Sequence, residues 1–568
     1  MKSFLFLVCV VPLAAYPVLL SLDTEARRDG EDSRCEISST NTPRSPVSVF
    51  SAAGQSSESN AVGQASESSA VGQASARAAG TTAGLRFPRP NVIPEPVSLA
   101  YAETSLCRLD GRATVRVACD DPAATAWVAR MCRDSLKVAP TVVAAPCAQT
   151  NLVDGAYELR TMPDGTFTLS ARDLVGVRHA FYTLRMCLMA ERGVAEASAW
   201  IAPALTVADA PAHAFRAMHV CWLPETSRVS VERQIRLAAY FKFNYLVLEF
   251  WGTYDSAAFP WFGWPERKVP TAELTRLVAL GRDLGVTLVP MLNVFGHASQ
   301  SRRCGGKHAA LDLSPRHQSL FEPREGWVWC LTNPETQKTL RTLVSELYET
   351  FGRPGYFHIG CDEADPPSCP VCVGTDWPQT VADHVRGLRD HVASLGARTL
   401  MWHDMLVSRK DPRWQGEAFA RYPINGASPE ACARLLAQLP KDIVICDWYY
   451  GAPRADYPTW DYFRSFGFAV VPAAWQNVAG TASMGKAAKA AGTFGFMGTT
   501  WHHAYGEDLY CCYLGAAEAA WGSSDRVRGD VTDFATRWRQ VGWDMGVRAK
   551  ADCGYASDEI PRHTATPR

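Results

Sequence analysis

The sequence predicts an α/β protein: a (β/α)8 barrel of the TIM type, preceded by a small α/β (α+β) domain. Three observations carry that prediction. Eight short apolar runs lie between residues 216 and 501, most of them separated by stretches with apolar residues at helical spacing. A shorter, differently ordered set of strand and helix patterns precedes them. A doubly wound open sheet competes with the barrel, and the count of eight strands favours closure.

Taken in chain order, Lys2 precedes an apolar run from Phe4 to Leu22, and "DTEARRDGED" then turns polar. This reads as an export signal over 1–25. The run is near the ~20 residues that a spanning helix needs, so an uncleaved anchor stays open. Either way the rest is expected outside the cytoplasm: secreted, periplasmic or at the cell surface. Residues 26–88 are mostly Ser, Ala, Gly and Gln, with "AVGQASESS" at Ala61 followed by "AVGQASAR" at Ala70. Such a stretch buries too little surface to offset its ordering entropy and reads as a tether.

Residues 89–208 form the first domain. Its strand signals are "ATVRVAC", "GAYELRT" and "GTFTLSA", and its helix signals are "ATAWVARMCRDSL" and "VGVRHAFYTLRMCLMA". The "PDG" between the second and third strands marks a hairpin turn. Residues 209–548 form the barrel and 549–568 a tail. Expected barrel strands are 216–222, 245–251, 286–294, 356–361, 398–404, 442–448, 468–475 and 494–501. Among the helices between them, Leu340, Leu343, Val344 and Leu347 make one apolar stripe at i, i+3, i+4 and i+7.

The net charge of −1 leaves no basic footprint for nucleic acid. The 18 Trp and 18 Tyr supply flat amphipathic surfaces, suited to cores and to sugar faces alike. Of 18 cysteines one, Cys9, falls in the leader, so an odd number remains and at least one thiol is unpaired if the leader is removed.

Barrel active sites form at the C-terminal ends of the strands. Here those ends carry "NVFGHAS" (His297), "GYFHIGCDEAD" (Asp362 and Glu363), "MWHD" (Trp402 and Asp404), "DWYY" (Trp448, Tyr449 and Tyr450), "AAW" (Trp475) and "TTWHH" (Trp501 and His503). Each has an ordinary reading: a structural histidine, core tryptophans, a DE pair opening a helix. Their joint placement on one face of the barrel points instead to a site.

"FHIGCDEA" resembles the H-x-G-G-D-E motif of family 20 glycoside hydrolases, the β-N-acetylhexosaminidases. "FRAMHV" at Phe215 is similar to that family's first-strand arginine segment, and "NVFGHAS" to its third-strand Gly-His. "NVIPEP" and "LVGVRHAFYTLRMCL" resemble parts of its non-catalytic N-terminal domain. The resemblance implies an exo-acting enzyme that removes terminal β-linked GlcNAc or GalNAc from glycans or glycoproteins by retaining, substrate-assisted hydrolysis. It implies Glu363 as general acid and then base, and Asp362 as the anion that orients the sugar's acetamide. Ionised Asp362 and partial burial should raise the Glu363 pKa. Arg216 would grip sugar hydroxyls, and His297 would contact the acid with Glu249 in the place of its usual acidic partner. Trp402, Trp448, Trp475 and Trp501 would wall the sugar.

Two positions depart from the family pattern. Its seventh-strand tyrosine has no counterpart in "VVPAAWQN", leaving Tyr449 or Tyr450 as replacements. Its eighth-strand W-x-E reads W-H-H, with His503 in the glutamate position, so the choice between gluco and galacto sugars stays open. The alternatives are another barrel glycosidase, including a two-carboxylate enzyme using Asp404, or a decayed carbohydrate-binding barrel. No cofactor and no catalytic metal are expected. "SCPVC" places Cys369 and Cys372 as half of a structural zinc site, a redox pair, a disulfide or free thiols. Successive strand residues face opposite ways, so Asp362 and Glu363 can share a pocket only if the strand has ended or bent, which Gly360 permits.

Overall fold

The computed structural model describes residues 86–147, 153–191, 199–298, 314–323, 326–417, 419, 428–501 and 506–526. The leader, residues 26–85 of the linker and the 549–568 tail lie outside these residues. All the described residues fall in the unit that begins at Thr81.

The first domain holds β1 (Ser98–Leu109), β2 (Thr114–Ala118), β3 (Thr141–Ala145), β4 (Tyr157–Thr161), β5 (Thr166–Ser170), β6 (Met189–Ala190) and β7 (Trp200–Asp209). They form one mixed sheet in the order β1-β7-β4-β5-β2-β3, with β6 paired on β7. The expected hairpin is present: β4 and β5 pair antiparallel, and Gly165 takes a φ of +83° in the turn between them. Helices Ala123–Asp134 and Leu174–Cys187 also follow their sequence signals. The second helix starts on Asp173, whose side chain accepts from the Gly176 N–H. Its C-terminal "LMA" leaves the helix, and Met189–Ala190 form β6 instead.

The eight apolar runs form β8 (Phe215–Trp222), β9 (Tyr245–Phe250), β10 (Thr287–Met291), β11 (Tyr356–His358), β12 (Arg398–Trp402), β13 (Val444–Trp448), β14 (Ala469–Trp475) and β15 (Gly495–Thr499). They close into a barrel in the order β10-β11-β12-β13-β14-β15-β8-β9, every pairing parallel. Helices on the outside explain the uninterrupted apolar strands, since both faces are covered. In helix Pro334–Thr350, Pro334 takes the first turn and the Asn333 side chain accepts from the Glu335 N–H. Its predicted stripe is buried throughout, at about 1.5–3 kcal/mol for each side chain removed from water. Among the described residues, no helix is long and apolar enough to cross a membrane.

The two domains are joined by charged groups buried at the base of the barrel. Lys242 Nζ lies 2.8 Å from the Tyr157 hydroxyl and 3.4 Å from Asp209 Oδ2, and the side chains of both Lys242 and Asp209 are fully buried. Trp521 donates its indole N–H to Asp209 Oδ1 at 3.0 Å, and the Lys242 ammonium sits 4.8 Å from a Trp521 ring centroid. Burial pulls the Lys242 pKa down while Asp209 opposes the shift. Removing one partner of such a pair strands the other charge without water. Lys242→Ala is therefore expected to lose roughly 3–5 kcal/mol of unfolding free energy in urea titrations, against less than about 1 kcal/mol for an ordinary surface lysine.

Candidate functional site

The turn after β11 builds the site. β11 ends at His358, and Gly360, Cys361 and Glu363 take φ of +66°, +72° and +50°. The strand alternation is broken there, which lets two neighbouring carboxylates enter one space. For glycine that backbone is cheap; for Cys361 and Glu363 it costs on the order of 1–3 kcal/mol each, so the surroundings must hold it. Four hydrogen bonds do so. The Gly360 N–H donates to His358 Nδ1 at 3.0 Å, and Gly360 O accepts from the Trp402 N–H at 2.9 Å. The Glu363 N–H donates to Asp404 Oδ2 at 2.8 Å, and Glu363 O accepts from the Trp327 indole at 2.7 Å. Space is as tight as the bonding: a Cβ on Gly296 would lie 2.0 Å from Asp362 O, and one on Gly360 would lie 1.6 Å from Asn293 Oδ1.

Both carboxylates converge on one imidazole. His297 Nε2 lies 3.1 Å from Glu363 Oε2 and 3.4 Å from Asp362 Oδ2. The His297 ring is fixed against Trp327, with centroids 4.2 Å apart. The two acids differ in access: the Asp362 side chain is 4% exposed and that of Glu363 21%. Asp404 lies fully buried behind them, its other oxygen accepting from the Trp448 indole at 3.3 Å. Burial first, then the charge of Asp362, pushes the Asp404 carboxyl well above the usual carboxylate range.

Aromatic rings line the same mouth. Trp402 is fully buried beneath it, 5.4 Å from Trp501 and 4.5 Å from His358 between centroids. Trp448 stacks on Tyr450 at 5.0 Å, and Trp475 meets Tyr450 edge-on at 5.4 Å. The Trp501 indole donates to the Tyr450 hydroxyl at 2.8 Å. Burial pushes that hydroxyl well above the usual tyrosine range, and the charges of Glu363 and Asp362 add to the shift. The phenol is therefore within electrostatic reach of both carboxylates.

Asp362, Glu363, His297, Trp402, Asp404, Trp448, Tyr450, Trp475 and Trp501 are thus gathered at one end of the barrel. Three other expectations need correction. Arg216 is the second residue of β8 and lies at the opposite, N-terminal end of the strand; its guanidinium donates to Lys242 O at 2.9 Å and His213 O at 2.8 Å. Glu249 does not partner His297. It accepts from Asn293 Nδ2 at 2.7 Å and lies 3.1 Å from His219 Nε2, which places it beneath Trp402 and Trp501. Tyr449 turns away from Tyr450, as strand alternation requires, with its ring 4.7 Å from Phe419 and 5.3 Å from Tyr457. His503 lies outside the described residues. Sequence reasoning missed Trp327, Asn293 and His219. The W-x-W at Trp327 and Trp329 was the available signal for the first, as both indoles anchor backbone carbonyls, of Glu363 and Asn293.

Two donor clusters stand out among the described residues. His219, Cys221 and Glu249 gather inside the barrel, and Glu322, Cys330, Cys369 and Cys372 gather beside the carboxylate turn. All fourteen cysteines of the described residues are free thiols, so Cys369 and Cys372 are not joined as a disulfide.

Residues 269–523 match the model of glycosyl hydrolase family 20, catalytic domain. No curated protein sequence matches the chain. Among solved structures, the chain is similar to a family 20 exo-β-N-acetylglucosaminidase from Vibrio harveyi in complex with N-acetylglucosamine, with a TM-score of 0.61 at 18% identity over 82% of this chain and 78% of that one. A family 20 β-N-acetylhexosaminidase from Streptomyces coelicolor A3(2) gives a TM-score of 0.58 at 17% identity, over 84% and 99%. A β-N-acetylhexosaminidase from Bacteroides fragilis gives 0.56 at 18%, over 80% and 95%. At these identities the structural likeness establishes a shared fold.

One buried acid behind the aromatic wall gives the site a pH signature. Asp447 on β13 is fully buried beside His403; desolvation pushes its carboxyl up to about 7 and pulls His403 down to about 3. A raised carboxyl contributes stability that is present below its unfolded value near 3.9 and lost as pH rises through 7. Relative to wild type, Asp447→Asn should therefore gain stability by roughly 1.4 kcal/mol per pH unit between about pH 4 and 7. Urea unfolding at several pH values measures this, and parallel stability curves would refute the assignment.

Proposed function

From the match of residues 269–523 to the catalytic domain of glycosyl hydrolase family 20, we propose that the chain removes terminal β-linked N-acetylglucosamine or N-acetylgalactosamine from glycans, with the sugar's own acetamide oxygen as the nucleophile. The observation that carries this reading is the convergence of the adjacent Asp362 and Glu363 on His297, inside an aromatic wall that includes Tyr450. A conventional glycosidase sets two carboxyls across the scissile bond, about 5–9 Å apart. Neighbouring residues on one turn cannot flank a sugar in that way. They can instead serve one face of it.

The assigned roles follow from access and partners. Glu363, the more exposed acid, gives its proton to the leaving oxygen and then takes one from the water that opens the intermediate. Asp362, nearly buried, accepts from the acetamide N–H and offsets the positive charge that develops on the oxazolinium ring. The Tyr450 hydroxyl accepts from the Trp501 indole, which leaves its own proton for the acetamide oxygen. The indoles of Trp448, Trp475 and Trp501 offer apolar faces to the sugar and its methyl group, with Trp402 packed beneath Trp501 as their support. Because the substrate and then water attack in succession, the configuration at the anomeric carbon is retained. Asp404 does not suit a nucleophile: it is fully buried and both its oxygens accept N–H bonds.

Aryl β-GlcNAc and β-GalNAc should be hydrolysed, and the aryl β-glucoside, which lacks the acetamide, should turn over at least about a hundredfold more slowly. Comparable turnover of the glucoside would sink the substrate-assisted reading in favour of a two-carboxylate enzyme. No turnover of any of the three would favour a decayed, carbohydrate-binding barrel.

With the fold intact by circular dichroism, Glu363→Gln and Asp362→Asn should each lower kcat by about 10²–10⁴. Tyr450→Phe, which keeps the ring and removes one hydrogen bond to a developing charge, should cost roughly 10–100-fold, while Tyr449→Phe should cost little. A Tyr449 effect equal to that of Tyr450 would reverse the assignment of the phenol.

A further inference from the structure

We propose that Glu322, Cys330, Cys369 and Cys372 hold a structural zinc ion that pins the Trp327 loop to the segment following the catalytic turn. Cys330 Sγ lies 3.8 Å from Cys369 Sγ and 3.7 Å from Cys372 Sγ, and one ligand atom from each of the four residues falls within 4.8 Å of all the others. Thiolates bound tetrahedrally to zinc at about 2.3 Å stand about 3.8 Å apart, whereas a disulfide brings its sulfurs to about 2.05 Å.

The fourth ligand is a built feature of the site. Glu322 is 2% exposed. Its Oε2 accepts from the N–H groups of Ser368 and Cys369, both at 2.6 Å, and from the Ser368 hydroxyl at 3.3 Å. Its Oε1 is buried with no hydrogen-bond partner among the described residues. A buried carboxylate with an unserved oxygen beside three thiols is costly, and a cation at that point removes the cost. Supporting contacts are also in place: the Cys372 N–H donates to Cys369 Sγ at 3.2 Å, and Thr332 Oγ1 lies 3.1 Å from Cys372 Sγ. Three sulfurs and one oxygen favour a tetrahedral ion of borderline softness over calcium or magnesium, and four protein ligands close the site to substrate. Binding releases the three thiol protons to solvent.

The consequence is positional. The antiparallel bridge between Phe321 and Trp329 sets Glu322 beside Cys330, with the Glu322 N–H donating to Val328 O at 2.8 Å. From that same loop Trp327 reaches Glu363 O and braces His297. Cys369 and Cys372 lie six and nine residues beyond Glu363. A zinc ion there would tie both ends of the brace together.

The full chain, expressed with zinc and purified without chelator, should contain one equivalent of zinc by mass spectrometry of its metals. Glu363→Gln should keep it, which separates this site from the catalytic reading, and Cys432→Ser, which changes a buried thiol elsewhere, should keep it too. Cys372→Ser should lose it. If that variant does not fold, titrating the wild-type chain with an organomercurial should release one zinc to an indicator dye together with a fall in Tm. The cobalt-substituted protein should show the visible and near-ultraviolet bands of tetrahedral cobalt–thiolate. A chain without zinc, iron in its place, zinc retained by Cys372→Ser, or a disulfide among the three cysteines in non-reducing peptide maps would each overturn the proposal.

Discussion

The chemistry-bearing end of this barrel depends on the turn after β11, where Cys361 and Glu363 are held against their own backbone preference. Gly360, Cys361 and Glu363 all sit at positive φ, and no local preference favours such a run. It persists because separate parts of the barrel close around it: the segment after β10 supplies Gly296 and His297, the end of β12 supplies Trp402 and Asp404, and the intervening loop supplies Trp327. The barrel and the site are therefore one construction. Strand pairing places these segments side by side, and their side chains then hold a turn that a free chain would not keep.

How much of this was legible in the sequence follows from what each signal requires. The barrel strands were legible because parallel strands covered on both faces read as apolar runs, whatever lies across from them. The first domain was harder to read. β1 is half exposed along much of its length and β7 carries Pro203, so neither shows a clean strand pattern. Asp362 and Glu363 were legible because a short motif carries them. Arg216 was misplaced because a motif gives neighbourhood without strand polarity: at the second position of β8 it belongs to the base of the barrel, six residues before Trp222 at the mouth-side end of the strand. Tyr449 and Tyr450 could not be separated until the face of each was known. Glu249 looked like a partner for His297, but its carboxylate is taken up by Asn293 and His219. The Glu322–Cys330 half of the cysteine cluster was invisible, since those ligands come from a loop some forty residues before "SCPVC".

The two acids also differ in what holds them, and that difference matches the proposed division of labour. The backbone of Glu363 is pinned on both sides, its N–H by Asp404 and its carbonyl by Trp327, yet its side chain keeps the greater exposure. A group that must deliver a proton, reload and meet a water needs a fixed root and a reachable end. Asp362 has the opposite arrangement: its carbonyl lies against Gly296 with no room for a Cβ, and its carboxylate is almost closed off. An anion that steadies a transient positive charge gains from that enclosure, because a lower local dielectric strengthens the attraction. Asp404, pushed toward its neutral form between them, can hold the Glu363 N–H without adding a third full negative charge to the turn. Adjacency of two carboxylates, costly for an isolated chain, becomes workable here because burial divides them into one charge that stays and one proton that moves.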